Sequence, residues 1–204
     1  MKPTVIICPG NGCTNIKRSN WYGKFHEQLQ DLGIPSVCEN FPDPHRARRT
    51  QWIPFIRKKA EEASPDDPSN IVLVGHSSGA QATLRYAEQY PIKAAVLVAA
   101  TYSDLGDDGE RASGYYPQKD GNGNITNPYL FADMKQNCPV WYQFHSNDDP
   151  FIPLHEAEQI RDGLGLGETY KMLPGRSHFF EIFPELLEIF STSTLFNSDT
   201  DNEL

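Results

Sequence analysis

The run Ile71-Val72-Leu73-Val74-Gly75-His76-Ser77-Ser78-Gly79-Ala80 constrains this chain more than any other stretch. Four leucine or β-branched residues break at Gly-His-Ser-Ser-Gly, and Ala80, Gln81, Ala82, Leu84, Arg85, Ala87 and Glu88, which favour helix, follow at once. The pattern predicts a strand, a sharp turn and a helix. A serine at the tip of such a turn is a nucleophile elbow, and small residues two before and two after it let strand and helix approach closely. Gly75 and Gly79 flank Ser77 in that way. Counting from Ser78 would put His76 and Ala80 in those places, so the spacing selects Ser77 from two adjacent serines. Five residues recur by chance, and it is the strand before them and the helix formers after them that give the motif its meaning.

The rest of the chain reads as partners for that strand. Thr4 to Cys8 is a buried strand, and the turn Pro9-Gly10-Asn11-Gly12 after it has glycines that permit unusual backbone angles and expose amide groups. It is a candidate oxyanion loop. Phosphate binding there is disfavoured, because the third glycine of a dinucleotide fingerprint and the lysine of a Walker loop are both missing. Trp21, Phe25 and Leu29 repeat at intervals of four and predict a helix over 21–32, ended near Gly33. A short strand over 35–38 follows. The two prolines of Phe41-Pro42-Asp43-Pro44 make a loop, and a helix is predicted over 48–63. The proline-rich turn 64–69 leads into the elbow strand, and 92–99 supplies the next apolar run. Periodicity disappears from Thr101 to Asn137, a stretch expected to frame a pocket. Strands over 140–144 and 169–173 alternate with helices over 153–164 and 179–190. Residues 1–191 are therefore read as one domain, and 192–204 as an unstructured acidic tail.

Strands alternating with helices imply a six-stranded, mainly parallel sheet covered on both faces, an α/β class. Ligands of such sheets bind beyond the carboxyl ends of the strands, where Gly10, Ser77, Asp149 and His178 all fall.

Composition narrows the partners. A net charge of -9 over 204 residues argues against nucleic acid or an anionic membrane, which need a basic face. Cys8, Cys13, Cys38 and Cys138 form no C-x-x-C pair, and no two histidines have the helical spacing of a zinc site, so no metal or cofactor is expected. No apolar run is long enough to span a bilayer or to serve as a signal peptide, and a cytoplasmic or nuclear location is the expectation.

A serine hydroxyl needs an imidazole to take its proton and a carboxylate to hold that imidazole. When the nucleophile sits on an elbow, the chain order is serine, acid, histidine. Beyond Ser77, the strand over 140–144 runs into His145-Ser146-Asn147-Asp148-Asp149-Pro150, which offers two adjacent acids. The last strand runs into Pro174-Gly175-Arg176-Ser177-His178, which puts His178 before the final helix. His26, His45 and His155 receive no role. His76 either lines the pocket or packs beside the turn.

These residues, with Asn20-Trp21-Tyr22-Gly23, Trp52-Ile53-Pro54-Phe55, Ser103-Asp104-Leu105-Gly106-Asp107, Glu110 to Tyr115, Asn137-Cys138-Pro139 and Ser146 to Pro153, resemble the family of retinoblastoma-binding protein 9, small serine hydrolases of the α/β-hydrolase fold. The resemblance covers most of residues 4–190. It implies a triad of Ser77, Asp149 and His178 and a compact fold without a separate cap domain. Two departures stand out. Residues 117–135 are longer and richer in glycine and asparagine than the family's tryptophan-bearing equivalent. The family's retinoblastoma-binding Leu-x-Cys-x-Glu peptide is replaced by Ala60-Glu61-Glu62-Ala63-Ser64, so retinoblastoma protein is not expected as a partner through that motif.

The resulting expectation is a serine hydrolase that cleaves a small ester, thioester or amide through an acyl-enzyme on Ser77. The backbone amides of Ser78 and Asn11 would form the oxyanion hole, with Gly12 the alternative to Asn11, and Trp21, Tyr115 and Phe151 would line the substrate pocket. The alternatives are a non-catalytic interaction module and an acyltransferase using the same intermediate.

Overall fold

The strand formed by the elbow run is buried at every position, and so are the strands on either side of it. In the computed structural model, which describes residues 2–192, β1 spans Thr4–Cys8, β3 Ile71–His76 and β4 Ala94–Val98. Their side chains alternate between two cores. Ile6, Cys8, Ile71, Leu73, Ala95 and Leu97 face one, and Val5, Ile7, Val72, Val74, Ala94, Val96 and Val98 face the other. A sheet apolar on both faces must be covered on both.

The helices supply the cover. On one face lie α1 (Tyr22–Asp31), through Phe25 and Leu29, and α7 (Pro184–Thr192), through Leu186 and Phe190. On the other lie α2 (Arg49–Ala63), α3 (Ser78–Ala87), α5 (Phe131–Asn137) and α6 (Leu154–Leu164). The edges of the sheet are the two-residue β2 (Ser36–Val37) and β8 (Tyr170–Leu173), with β7 (Trp141–Ser146) inside β8. Strand order is β2-β1-β3-β4-β7-β8, and every pairing is parallel. The chain first steps outward from β1 to β2 and then returns to the other side of β1 as β3. The topological switch point therefore lies between β1 and β3, with the loop after Cys8 and the elbow at its mouth.

The aperiodic stretch after β4 is not structureless. It holds α4 (Asp108–Ser113), an antiparallel hairpin of β5 (Gln118–Lys119) and β6 (Ile125–Thr126), and α5. Arg85 of α3 ties this excursion down. Its Nε donates to the Tyr115 carbonyl at 2.7 Å, its Nη1 to the Pro128 carbonyl at 2.8 Å and its Nη2 to the Asn127 carbonyl at 2.8 Å. Glu88 neutralises the buried guanidinium at 2.6 Å.

The final helix starts later than its apolar pattern suggests. Ser177 and Phe179 adopt left-handed φ angles of 49° and 53°, and the chain turns through 179–183 before Pro184 opens α7. Proline fits the first helical position because its missing N–H is an orphan there anyway. Of the tail expected over 192–204, Thr192 closes α7 and the remainder lies outside the described residues.

Candidate active site

Ser77 sits between β3 and α3 at φ 54° and ψ -121°, a sparsely populated conformation for a residue with a side chain. The neighbouring glycines show what holds it there. A Cβ on Gly75 would lie 2.4 Å from the Gly79 carbonyl oxygen, and one on Gly79 would lie 2.1 Å from the Cys8 carbonyl oxygen. Helix, elbow and the end of β1 are packed too closely for any side chain between them. This is the physical content of the glycine spacing around Ser77.

The candidate acid, Asp149, and the candidate base, His178, lie in the loops that follow β7 and β8. His178 Nδ1 lies 2.8 Å from Asp149 Oδ2, and the Asp149 side chain is fully buried. The other Asp149 oxygen accepts the backbone N–H groups of Phe151 at 2.9 Å and Ile152 at 3.1 Å. Burial pushes the Asp149 carboxyl up, but the hydrogen bond and charge of His178 and these two amides outweigh it and hold it below 3.8. Asp148 turns the other way. Its Oδ1 accepts from Ser146 Oγ at 2.5 Å and from the Ser177 N–H at 2.9 Å, which fixes the loop carrying His178 without touching the imidazole. Ser77 and His178 line the same cavity, and among the described residues no hydrogen bond joins the two side chains.

His145 has no role in the sequence reading, yet it supports the turn that carries Asp149. It is fully buried, and its Nε2 lies 3.1 Å from the Ile152 carbonyl. A carbonyl can only accept, so Nε2 carries the proton and braces the turn that holds Asp149.

The loop after β1 has three amides that could face an oxyanion. Gly10 N–H donates to the Tyr22 hydroxyl at 2.9 Å, and Gly12 N–H donates to the Pro44 carbonyl at 2.7 Å. Gly12, the alternative donor, is thus already spent. The Asn11 N–H is left between two anchored neighbours, and Asn11 lines the cavity.

His76, directly before Ser77, is 1% exposed and joins two partners. Its Nδ1 lies 2.6 Å from the Tyr22 hydroxyl and its Nε2 lies 2.8 Å from the His178 carbonyl oxygen. The same acceptor logic puts the proton on Nε2 and the lone pair on Nδ1, where Tyr22 donates. Burial, and after it the charge of His178, pulls the His76 pKa down to about 3. His76 is therefore a neutral packing and hydrogen-bonding group beside the turn.

The cavity over Ser77 has a volume of about 600 Å³. Phe151 lines it, together with Leu105, Tyr116, Ile152 and Phe180. Trp21 and Tyr115 do not. Trp21 is 1% exposed, packed edge-on against Tyr22, Phe25 and Phe183 in the core beneath α7. Tyr115 is fully buried in the opposite core, and its neighbour Tyr116 faces the cavity in its place. The sequence offered two consecutive tyrosines and no periodicity by which to choose. Glu110 spans the polar rim, accepting from Asn11 Nδ2 at 2.9 Å and from the Tyr116 hydroxyl at 2.7 Å.

The loop over the cavity is held from α6 by Glu156, which no motif marked. Its buried carboxylate accepts from Thr101 Oγ1 at 3.0 Å, the Tyr102 N–H at 2.9 Å, the Ser103 N–H at 2.6 Å and Ser103 Oγ at 2.8 Å. Four donors on one carboxylate fix the first residues after β4, and hence Leu105.

Comparison with known proteins identifies relatives of this chain. A model of the serine hydrolase family matches residues 5–181. The chain is 38% identical over 186 residues to the serine hydrolase RBBP9 of Rattus norvegicus, covering 90% of this chain and 91% of that protein. Among solved structures, the ydeN gene product of B. subtilis superposes with a TM-score of 0.76 at 17% identity, covering 96% of this chain and 99% of the other. A putative non-heme bromoperoxidase, BpoC, from Mycobacterium tuberculosis gives 0.64 at 14% identity, covering 99% and 94%. These two likenesses concern the fold.

Proposed function

This chain belongs to the serine hydrolase family, and from that premise we propose that it hydrolyses a small carboxylic ester, thioester or amide through an acyl-enzyme on Ser77. The observation that carries the reading is the 2.8 Å contact of His178 Nδ1 with Asp149, whose side chain is fully buried, while His178 lines the same cavity as a serine on a strained elbow. Ser77 Oγ bonds to the substrate carbonyl carbon while its proton passes to His178 Nε2. Negative charge then builds on the carbonyl oxygen, where the amides of Asn11 and Ser78 would receive it, each worth about 3 kcal/mol in such sites. Collapse of this intermediate breaks the bond to the leaving group, which takes the proton from His178. Water repeats the sequence and frees the acid, with Asp149 stabilising the imidazolium in both halves.

Esterase or amidase specificity would follow from the cavity, whose aromatic and aliphatic wall and short polar rim suit a small organic substrate. Four free, buried cysteines support a reducing location, cytoplasmic or nuclear, and among the described residues no helix is long and apolar enough to cross a membrane. Nucleic acid and membrane surfaces are not proposed as partners. Neither is retinoblastoma protein through a Leu-x-Cys-x-Glu peptide, because residues 60–64 end α2 with Ala60 buried.

Fluorophosphonate labelling of the purified protein tests the reading. A mass shift on Ser77, lost in Ser77→Ala, is expected. Folded protein that takes no label would favour a non-catalytic interaction module.

A further inference from the structure

The Tyr22 hydroxyl uses all its hydrogen-bonding capacity inside the protein. It accepts from Gly10 N–H at 2.9 Å and from Asn20 Nδ2 at 3.1 Å, and it donates to His76 Nδ1 at 2.6 Å. His76 passes the connection on through Nε2–H to the His178 carbonyl at 2.8 Å. A directed chain of three hydrogen bonds therefore runs from the loop after β1 to the backbone of His178 in the loop after β8, by way of the residue that precedes Ser77. The sheet itself does not join these two loops, because β1 and β8 are separated by β3, β4 and β7.

We infer that Tyr22 and His76 are positioning residues that set the oxyanion loop and the imidazole of His178 in one register with Ser77. The inference rests on the serine hydrolase reading above. Three features favour it over a purely structural bond network. The chain ends at both places where a proton or a charge would have to be met, Gly10 beside the Asn11 amide and the peptide of His178. It passes through His76, whose backbone leads into Ser77. Every bond has one possible direction, since the His178 carbonyl accepts only and the Gly10 amide donates only, so His76 and Tyr22 cannot flip without leaving a buried group unpaired. Burial also keeps the Tyr22 phenol protonated and His76 neutral, which preserves that direction across the working pH range.

Tyr22→Phe removes one oxygen and leaves the ring, which packs against Trp21 and His76, in place. The test is steady-state hydrolysis of a p-nitrophenyl ester, with kcat expressed per serine titrated by fluorophosphonate so that any unfolded fraction drops out. We expect kcat to fall at least about tenfold with KM changed less than about threefold, since a displacement of about an ångström at the reacting atoms costs up to about a hundredfold in rate. His76→Gln should behave alike, because it can still reach the His178 carbonyl with an N–H but offers Tyr22 no acceptor at the Nδ1 position; it serves as the measurement if Tyr22→Phe does not fold. A kcat per titrated serine within about twofold of wild type in whichever variant folds would overturn the inference, because a network that only stabilises the fold changes the number of active sites and not their rate. Failure of the underlying reading looks different. Wild-type protein would then neither label at Ser77 nor turn over ester, and the inference would fall with it.

Discussion

His178 Nδ1 meets Asp149 and not Asp148, although both carboxylates follow β7 and both serve the loop that holds the histidine. Adjacent residues of a turn point apart, so one acid reaches the imidazole while the other ties down the Ser177 amide. Asp149→Asn is expected to lower turnover by roughly 10⁴, the scale seen when a triad loses its orienting carboxylate. Asp148→Asn keeps an acceptor oxygen for Ser146 and Ser177 and should leave turnover within a few fold. Ester hydrolysis by both variants, with folding checked by circular dichroism, decides the matter. If Asp148→Asn alone collapses activity, the acid has been assigned one residue too late.

Stability should fall with pH well before the carboxylates titrate. Burial pulls the His76 pKa down to about 3 in the folded protein, against about 6.5 for a solvated histidine. Between these values the unfolded chain holds a proton that the folded chain refuses, so stability rises with pH through that window and is lost on acidification, by at most about 1.4 kcal/mol per pH unit for this one group. Burial lowers His145 in the same direction. Urea unfolding of wild type and His76→Gln at pH 7, 6 and 5 measures the effect. The variant should show a shallower pH slope, and parallel slopes would mean that His76 is not buried neutral.

Much of the site was legible because its chemistry depends on a few residue types at strand ends. The glycines around Ser77 declare a close approach of helix to strand, and the order serine, acid, histidine places Asp149 and His178 after β7 and β8 without any distance being known. What could not be read was orientation. Trp21 and Tyr115 look like pocket residues in a string of letters, and only the packing of α7 and the ties made by Arg85 turn them into the cores. The late start of α7 was available in principle from Pro184, but the apolar run 179–183 masked it. Phe179 and Phe183 are buried by a turn instead, which leaves Phe180 at the cavity. Glu156 was invisible because the groups it satisfies are backbone amides about fifty residues earlier in the chain.

Phe151 and Phe180 are large apolar side chains left 59% and 46% exposed, and they stand edge-to-face 6.2 Å apart beside His178. Exposed apolar groups contribute little to stability, so their expected use is to cover substrate. Phe151→Ala and Phe180→Ala should each raise KM several fold for aryl esters, with Tm changed by only a few degrees. Unchanged KM in both variants across a series of acyl chain lengths would place the substrate elsewhere in the cavity.

The last prediction concerns Gly79, where the elbow, α3 and the end of β1 meet. A methyl group there would stand 2.1 Å from the Cys8 carbonyl oxygen and 2.6 Å from that of Pro9. Neither oxygen is the end of a flexible side chain. Cys8 pairs with Gly75 in the β1–β3 ladder and Pro9 leads directly into Gly10, so the clash is relieved only if α3 or the end of β1 moves. Moving α3 shifts the Ser78 amide and relaxes Ser77, while moving β1 shifts Asn11; both routes would disturb the proposed oxyanion site. Overpacking of this kind typically costs about 1–3 kcal/mol, but a misplacement near an ångström costs up to about a hundredfold in rate, so activity should suffer more than folding. Gly79→Ala is expected to lose about a hundredfold or more in kcat/KM and to label slowly with fluorophosphonate while its Tm drops by a moderate amount. Gly121→Ala is the control, because nothing lies within 4 Å of a Cβ at that position. Wild-type labelling rates in Gly79→Ala would show that the elbow tolerates a side chain against β1, and that the spacing of Gly75 and Gly79 around Ser77 has some other cause.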